Sequence, residues 1–291
     1  MLRDKTTPTL SNGQQAALDE FIAVMLQRHG FDISVFDESF FEKSLEKRLG
    51  ALPCRSVADY LEGLSDNSTE AEAFYQSLRI GYSEFFRNPL AFALLEQTKL
   101  PRLLDEKKKT GHEIRIWSAG CATGQEAWSV AIVLDELICV LGKQADYRIF
   151  ATDLLEADLV VARAGVYNAE ALKNVRLRQL DGCFVQQGEC YAIADRLRSH
   201  VDFTVYDLLD ESTACPSASI YGDFDIVLCS NVLLYYRPEV QRLILDKLRR
   251  CLAPGGYVVV GESERQIVER TGGFRFVAPP ATVFQIATIR R

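Results

Sequence analysis

A chain of 291 residues with 48% hydrophobic content can bury one large core, or a large core and a small one, since domains run about 100 to 150 residues; two units are expected. The formal charge of -7 and a pI near 5.2 argue against a general nucleic-acid binder, which draws on clustered Lys and Arg. No apolar run reaches the roughly 18 residues of a bilayer span, and "MLRDKTTPTLSNGQQ" lacks the apolar region of a secretion signal, so a cytoplasmic protein without membrane insertion is expected.

In chain order, "QAALDEFIAVMLQRHG" sets Leu18, Phe21, Ile22, Met25 and Leu26 at three-and-four spacing and stops at Gly30, which predicts an amphipathic helix. "DESFFEKSLEKRLGA" predicts a second, with Phe40, Leu45 and Leu49 near one face. In "SVADYLEGLS", Ser56 is expected to cap a helix that turns Val57, Tyr60, Leu61 and Leu64 inward, and "TEAEAFYQSLR" continues the pattern. Residues 1–90 therefore read as an all-helical domain. Arg28, Lys43, Lys47, Arg48 and Arg55 either gather on one face for an acidic protein partner or form an ordinary solvated surface.

Residues 91–110 read as a connecting helix and a charged loop, and from 111 to 291 strands and helices alternate. The strands are expected in "IRIWSA", "YRIFATD", "FTVYD", "DFDIVLCSN" and "GYVVVGE", separated by longer helical patterns. That alternation predicts an α/β unit with a mainly parallel sheet. Ligands bind such sheets at the carboxyl ends of the strands, which singles out the loops beginning near Gly120, Thr152, Tyr206, Ser230 and Glu262. The stretch from about 168 to 200 breaks the alternation, and turn signals at Asp181-Gly182 and Gln187-Gly188 make "CFVQQGECYAIA" a candidate hairpin. It is either a docking surface or a partly buried hairpin with no binding role.

Eight cysteines without a CxxC pair, several of them inside apolar runs, read as buried free thiols. His29, His112 and His200 are too few and too scattered for a zinc set, so no metal is expected.

Gly120 and Gly124 frame "GCATG", which is neither the dinucleotide fingerprint nor a phosphate loop with its lysine. Glu126, just after the turn, would repel a phosphate and hold an ammonium group. Asp153, at the end of "FATD", can accept hydrogen bonds from two vicinal ribose hydroxyls. A ligand with a ribose, a free amino group and no phosphate fits both carboxylates, and S-adenosylmethionine has those parts. NAD, and loop caps in an ordinary α/β protein, stay open as alternatives. Asp207 offers an acceptor for an adenine amino group and Leu208 a surface for its ring. Asn231 supplies a donor and an acceptor, with Tyr235 four residues on, on the same helical face or simply packing at a helix start.

The ordered set "SLRIGYSEFFRNP", "IWSAGCATGQEAWSVAI", "IFATDLLEADLVVARAGVY", "VDFTVYDLLD", "CSNVLLYYRPEV" and "LAPGGYVVVGESE" resembles the CheR-type glutamate methyltransferases of bacterial chemotaxis, over nearly the whole chain. The resemblance implies a Rossmann-like class I methyltransferase sheet with an N-terminal all-helical domain and a small inserted antiparallel subdomain. It implies transfer of a methyl group from S-adenosylmethionine to glutamate side chains on the cytoplasmic domain of methyl-accepting chemoreceptors, leaving S-adenosylhomocysteine; a monomer is expected. A scaffold that binds the cofactor without transfer, or a methyltransferase for another acidic protein, are the alternatives.

By the same resemblance Gly81, Ser83 and Arg87 of the "FFR" segment face the cofactor between domains, and Glu126 lies near the methionine amino group. Asp153 is the ribose ligand, Gly120 belongs to the loop, and Asp207 with Leu208 meets the adenine. Asn231 and Val232 wall the cofactor, while Arg87 and Tyr235 stand at the transfer site as catalytic candidates. The chain departs from the family pattern at Gly81 (commonly Asn), Ser83 (Thr), Asp207 (Asn) and Glu262 (His). Lys99, with Arg102 nearby, stands where an arginine is linked to substrate.

Overall fold

The computed structural model describes residues 12–52, 56–142, 145–219 and 222–287; Cys54, Arg55 and residues 1–11 of the N-terminal stretch lie outside them. Two compact units emerge, Met1–Ile80 with Tyr235–Arg237, and Gly81–Leu234 with Pro238–Arg291. The division falls at 80/81 rather than at the expected 90/91. Its cause is the segment between 81 and 90, whose buried Phe85, with Phe86 packed beside it, shares one core with Ile114 and Ile116 of the second unit.

The first unit contains α1 (Asn12–His29), α2 (Glu38–Gly50), α3 (Val57–Asp66) and α4 (Ser68–Ser77). Side chains start three of them: Asp37 accepts from the N–H groups of Ser39 and Phe40, Ser56 from Asp59 and Asn67 from Glu70. Phe21 anchors the core, its ring centroid 5.3 Å from Phe41 and 5.1 Å from Phe74. The inward aromatic of α2 is Phe41, one turn before Leu45, and not Phe40; Leu26 and Val57, expected inside, are 48% and 39% exposed. Arg48 is held by Glu70 at 2.8 and 2.6 Å, with the Tyr60 hydroxyl on the same carboxylate, which ties it into a network within the unit. Tyr235–Arg237 add a backbone bridge: Asp37 N–H donates to Tyr235 O (2.9 Å) and Arg237 N–H to Val35 O (3.0 Å).

The second unit opens with α5 (Pro89–Leu94), a π-helical turn (Leu95–Lys99) and α6 (Leu100–Thr110). Then come β1 (Ile114–Ala119), α7 (Gln125–Leu141), β2 (Tyr147–Asp153), α8 (Glu156–Ala164), β3 (Val166–Asn168), α9 (Leu177–Cys183), β4 (Phe184–Gln187), β5 (Cys190–Ile193) and α10 (Asp195–Arg198). It closes with β6 (Val201–Val205), β7 (Phe224–Cys229), α11 (Pro238–Cys251), β8 (Leu252–Val260), α12 (Arg265–Thr271), β9 (Phe274–Phe276) and β10 (Val283–Ile286). Among the described residues these strands form a seven-stranded sheet in the order β6-β2-β1-β7-β8-β10-β9 and a three-stranded antiparallel sheet β3-β5-β4. This is the Rossmann-like α/β architecture expected. The strands from β6 to β8 pair in parallel, while β10 pairs antiparallel with both β8 and β9.

The parallel strands are covered on both faces, which is why they read as nearly unbroken apolar runs. Trp117 and Trp128 are fully buried, and each indole N–H finds an acceptor, Thr152 Oγ1 at 2.9 Å and Ala162 O at 3.1 Å. Two strands differ from expectation: β6 starts at Val201 and leaves Tyr206 and Asp207 in the loop, and β8 begins at Leu252, taking in the "APGG" residues. The order steps outward from β1 in both directions, so the switch point lies at the carboxyl ends of β1 and β7, where open α/β sheets bind ligands. Among the described residues no helix is long and apolar enough to cross a membrane. The seven described cysteines are free thiols, but only Cys121, Cys183, Cys229 and Cys251 are buried.

Candidate functional site

The loop after β1 is shaped by backbone that a side chain would block. Gly120 has φ +76°, its N–H and that of Cys121 donate to Thr152 O at 2.8 and 2.9 Å, and an added Cβ would lie 2.6 Å from Val232 Cγ2. Gly124 has φ +91°, and its Cβ would lie 2.8 Å from that of Ala162. Only glycine tolerates both conditions. Asp153 holds the loop from the next strand: Oδ2 accepts from the Ala122 N–H at 2.8 Å and Oδ1 from the Leu155 N–H at 3.0 Å. These bonds leave lone pairs for further donors.

Glu126 sits in the first turn of α7 and accepts from Ser118 Oγ at 2.8 Å. Burial pushes its carboxyl up to about 7, against the pull of hydrogen bonding and the Arg87 charge. Among the described residues it forms no ion pair. Ser83, Arg87, Gly120, Glu126, Ser230 and Asn231 line one pocket, with Tyr82 and Asn88 beside them. Inside it Asn231 Oδ1 is buried without a hydrogen-bond partner. An ammonium group answers both deficits: it donates to the orphaned amide oxygen and favours the ionised carboxylate. The amino-acid end of S-adenosylmethionine therefore fits this donor set, although about 20 Å³ of free space admits only a water-sized group as the side chains stand.

Asn231 has φ +62° and only Leu233–Tyr235 form a 3-10 turn, so Asn231 and Tyr235 do not share a helical face. The strained conformation is held by Glu264, which the sequence reading missed. This carboxylate is fully buried and accepts the N–H groups of Val232 and Leu233 on Oε1 and those of Asn231 and Gly261 on Oε2, all at 2.7 Å. Burial pushes the Glu264 carboxyl up, and the backbone donors pull it down. With every bond a backbone N–H, the ionised form is the one this geometry uses. The available signal was a glutamate three residues after Gly261, which follows β8, the spacing of a capping box. Glu262, which stands where the family commonly has histidine, is exposed.

The "FFR" segment is wedged against the small sheet. Phe85 is fully buried and packs edge-on against Tyr167 (5.0 Å) and Phe184 (5.6 Å). Phe86 adopts φ +52°, rare for a bulky residue, and its N–H donates to Ser129 Oγ at 3.0 Å. Arg87 then reaches back, donating to Tyr82 O at 3.2 Å with its guanidinium 5.3 Å from the Tyr82 ring. At Gly81 a Cβ would lie 2.2 Å from Asp158 Oδ2, which explains the missing side chain there. That oxygen is buried without a partner, and burial and the Asp153 charge push the Asp158 carboxyl up.

One pocket thus gathers Ser83, Arg87, Gly120, Glu126 and Asn231, with Val232 packed on Gly120 and Asp153 joined through Ala122. Asp207 and Leu208 lie outside that lining; Asp207 Oδ1 accepts from the Leu209 N–H at 2.8 Å. Tyr235 groups with the helical unit, its ring centroid 4.8 Å from that of Phe40. Lys99 and Arg102 line a different pocket, with Asp225 near the amino end of β7 and Tyr257 of β8, the partner of Ile226, at the opposite end of the sheet from Glu126. Among the described residues no group of three or more His, Cys, Asp or Glu could hold a metal ion.

Residues 82–282 match the family described as CheR methyltransferase, SAM binding domain. Chemotaxis protein methyltransferase 1 of Pseudomonas aeruginosa is 38% identical over 184 residues, 62% of this chain and 64% of that protein. The chemotaxis protein methyltransferase of Escherichia coli is 31% identical over 248 residues, 83% of this chain and 81% of that one. An uncharacterized 104.1 kDa protein of Rhodobacter capsulatus is 29% identical over 223 residues, and the chain spans only 23% of its length. Glycine loop, buried carboxylate, switch-point position and matched residues agree: the chain belongs to the CheR methyltransferase family and carries its S-adenosylmethionine-binding domain.

Proposed function

We propose that the chain transfers the methyl group of S-adenosylmethionine to glutamate side chains on the cytoplasmic helices of chemoreceptors, in the cytoplasm, giving glutamate methyl esters. The observation that carries this reading is the pairing of a buried Glu126 carboxyl near 7 with the orphaned Asn231 Oδ1, a site short of a cationic donor. The names of the Pseudomonas and Escherichia relatives support the chemotaxis substrate.

When bound, the cofactor supplies an electrophilic methyl group on a sulfonium. Glu126 and Asn231 would hold its ammonium group, Asp153 the ribose hydroxyls, and Asp207 with Leu208 the adenine. Gly81, Ser83, Gly120 and Val232 would line the approach. A substrate glutamate, with a pKa of about 4.3, is ionised at neutral pH and needs no general base. Its oxygen forms the new C–O bond as the S–C bond breaks, the electron pair stays on sulfur, and opposite charges cancel. Arg87 and Tyr235 would orient the carboxylate, and a firmer grip on its charge would oppose attack because that charge vanishes in the transition state. The free volume around Glu126 is about 20 Å³, so binding requires lining side chains such as that of Arg87 to shift.

The test is transfer of labelled methyl groups to purified receptor cytoplasmic fragments. Label released as methanol in mild base supports the reading. Cofactor binding without transfer favours a scaffold, and label only on another acidic protein rejects the receptor substrate.

A further inference from the structure

Beside the amino end of β7, away from Glu126, lies a cavity of about 570 Å³, within the range of small-molecule sites. Arg275 on β9, Gln285 on β10 and Tyr257 on β8 stand abreast in register across three strands, so their side chains share one face of the sheet. Lys99 closes this row from the π-helical turn, its ammonium 5.3 Å from the Tyr257 ring centroid. Such single turns recur at functional sites.

The charges around the cavity do not balance. Arg102 is paired with Glu106 at 3.0 Å and Lys107 with Asp225 at 2.9 Å. Lys99 and Arg275 have no carboxylate partner among the described residues; Arg275 hydrogen-bonds only the neutral Gln285 side chain. Two cations thus face one cavity on a chain whose net charge is -7. Burial, then the charges of Arg102 and Arg275, hold the Lys99 ammonium below its ordinary range, so the cluster lacks an anion that would relieve it.

We propose that this cavity binds a phosphate-bearing small molecule with at least two negative charges, held by Lys99 and Arg275. One monocarboxylate would neutralise only half of the excess. The exposed guanidinium fork of Arg275 matches a phosphate edge, and the Lys99 ammonium serves as a point charge beside it. The Tyr257 ring is already covered by Lys99, so the ligand is recognised by its phosphates rather than by stacking of a base.

Calorimetric titration of the full chain with inorganic pyrophosphate at low ionic strength tests this. Saturable one-to-one binding is expected, weakened about tenfold or more by Lys99→Gln and by Arg275→Gln. Lys99→Arg should retain the affinity, and Glu126→Gln, at the other end of the sheet, should leave it unchanged. No saturable binding, or wild-type affinity in both neutral variants, overturns the proposal. Loss of affinity in Lys99→Arg as large as in Lys99→Gln overturns it as well, since charge would then not be the cause.

Discussion

The buried Glu264 carboxylate accepts the backbone N–H of Asn231 at 2.7 Å, joining the end of β8 to the loop after β7. Three further N–H groups at the same distance make it a collar that fixes the left-handed Asn231 and turns its side chain into the pocket. Glu264→Gln puts an N–H₂ donor against backbone donors on one side. A loss of about 3 kcal/mol is expected, read as a lower urea midpoint at unchanged slope. A midpoint equal to wild type would show that the collar contributes nothing.

Gly120 and Val232 meet so closely that Gly120→Ala brings both steric overlap and a left-handed alanine. About 2 kcal/mol of stability should be lost, together with cofactor affinity. Val232→Ala in the same chain should recover part of the stability but not the conformational share, a split that a double-mutant cycle measures.

The raised Glu126 carboxyl sets two opposite pH dependences. Its folded value, about 7, lies above the ordinary 4.5, so between those limits the folded chain keeps a proton that the unfolded chain has lost. Its contribution to stability is therefore lost as pH rises through that window. Cofactor affinity should run the other way, because an ammonium ligand needs the ionised carboxylate: it should increase towards tenfold per pH unit below 7. Glu126→Gln should flatten both profiles in urea titrations and in calorimetry.

Asp153 holds two backbone N–H groups of the loop as well as being the proposed ribose ligand. Asp153→Ala is expected to weaken cofactor binding by about 1 to 3 kcal/mol and also to lower the urea midpoint. Calorimetry giving wild-type affinity at a reduced midpoint would leave Asp153 a purely structural role.

Tyr235→Phe is expected to lower turnover by about 10- to 100-fold with cofactor affinity unchanged, if the hydroxyl has its proposed role of orienting the substrate carboxylate. Equal loss of both, in parallel transfer and binding assays, would assign the hydroxyl to the fold instead.

Patterns with a short range were legible. β1 and β2 begin and end where the apolar runs do, Ser56 caps its helix, and Gly120 and Gly124 mark the turn, because each depends on neighbours within a few residues. Which side of α2 faces inward was less so, since Phe40 and Phe41 are adjacent and only packing against Phe21 and Phe74 favours Phe41.

The sequence by itself determined an acidic chain with a helical portion, an alternating α/β portion, a loop unsuited to phosphate, one carboxylate just after that loop and another at the end of the next strand. Tertiary structure decided the rest: that Asp158 excludes a side chain at Gly81, that Glu264 rather than Glu262 is buried, and that Lys99 faces away from the cofactor end. Those outcomes depend on backbone donors and charges brought together from about 30 to 180 positions apart, and periodicity carries information only about a residue's own helix or strand.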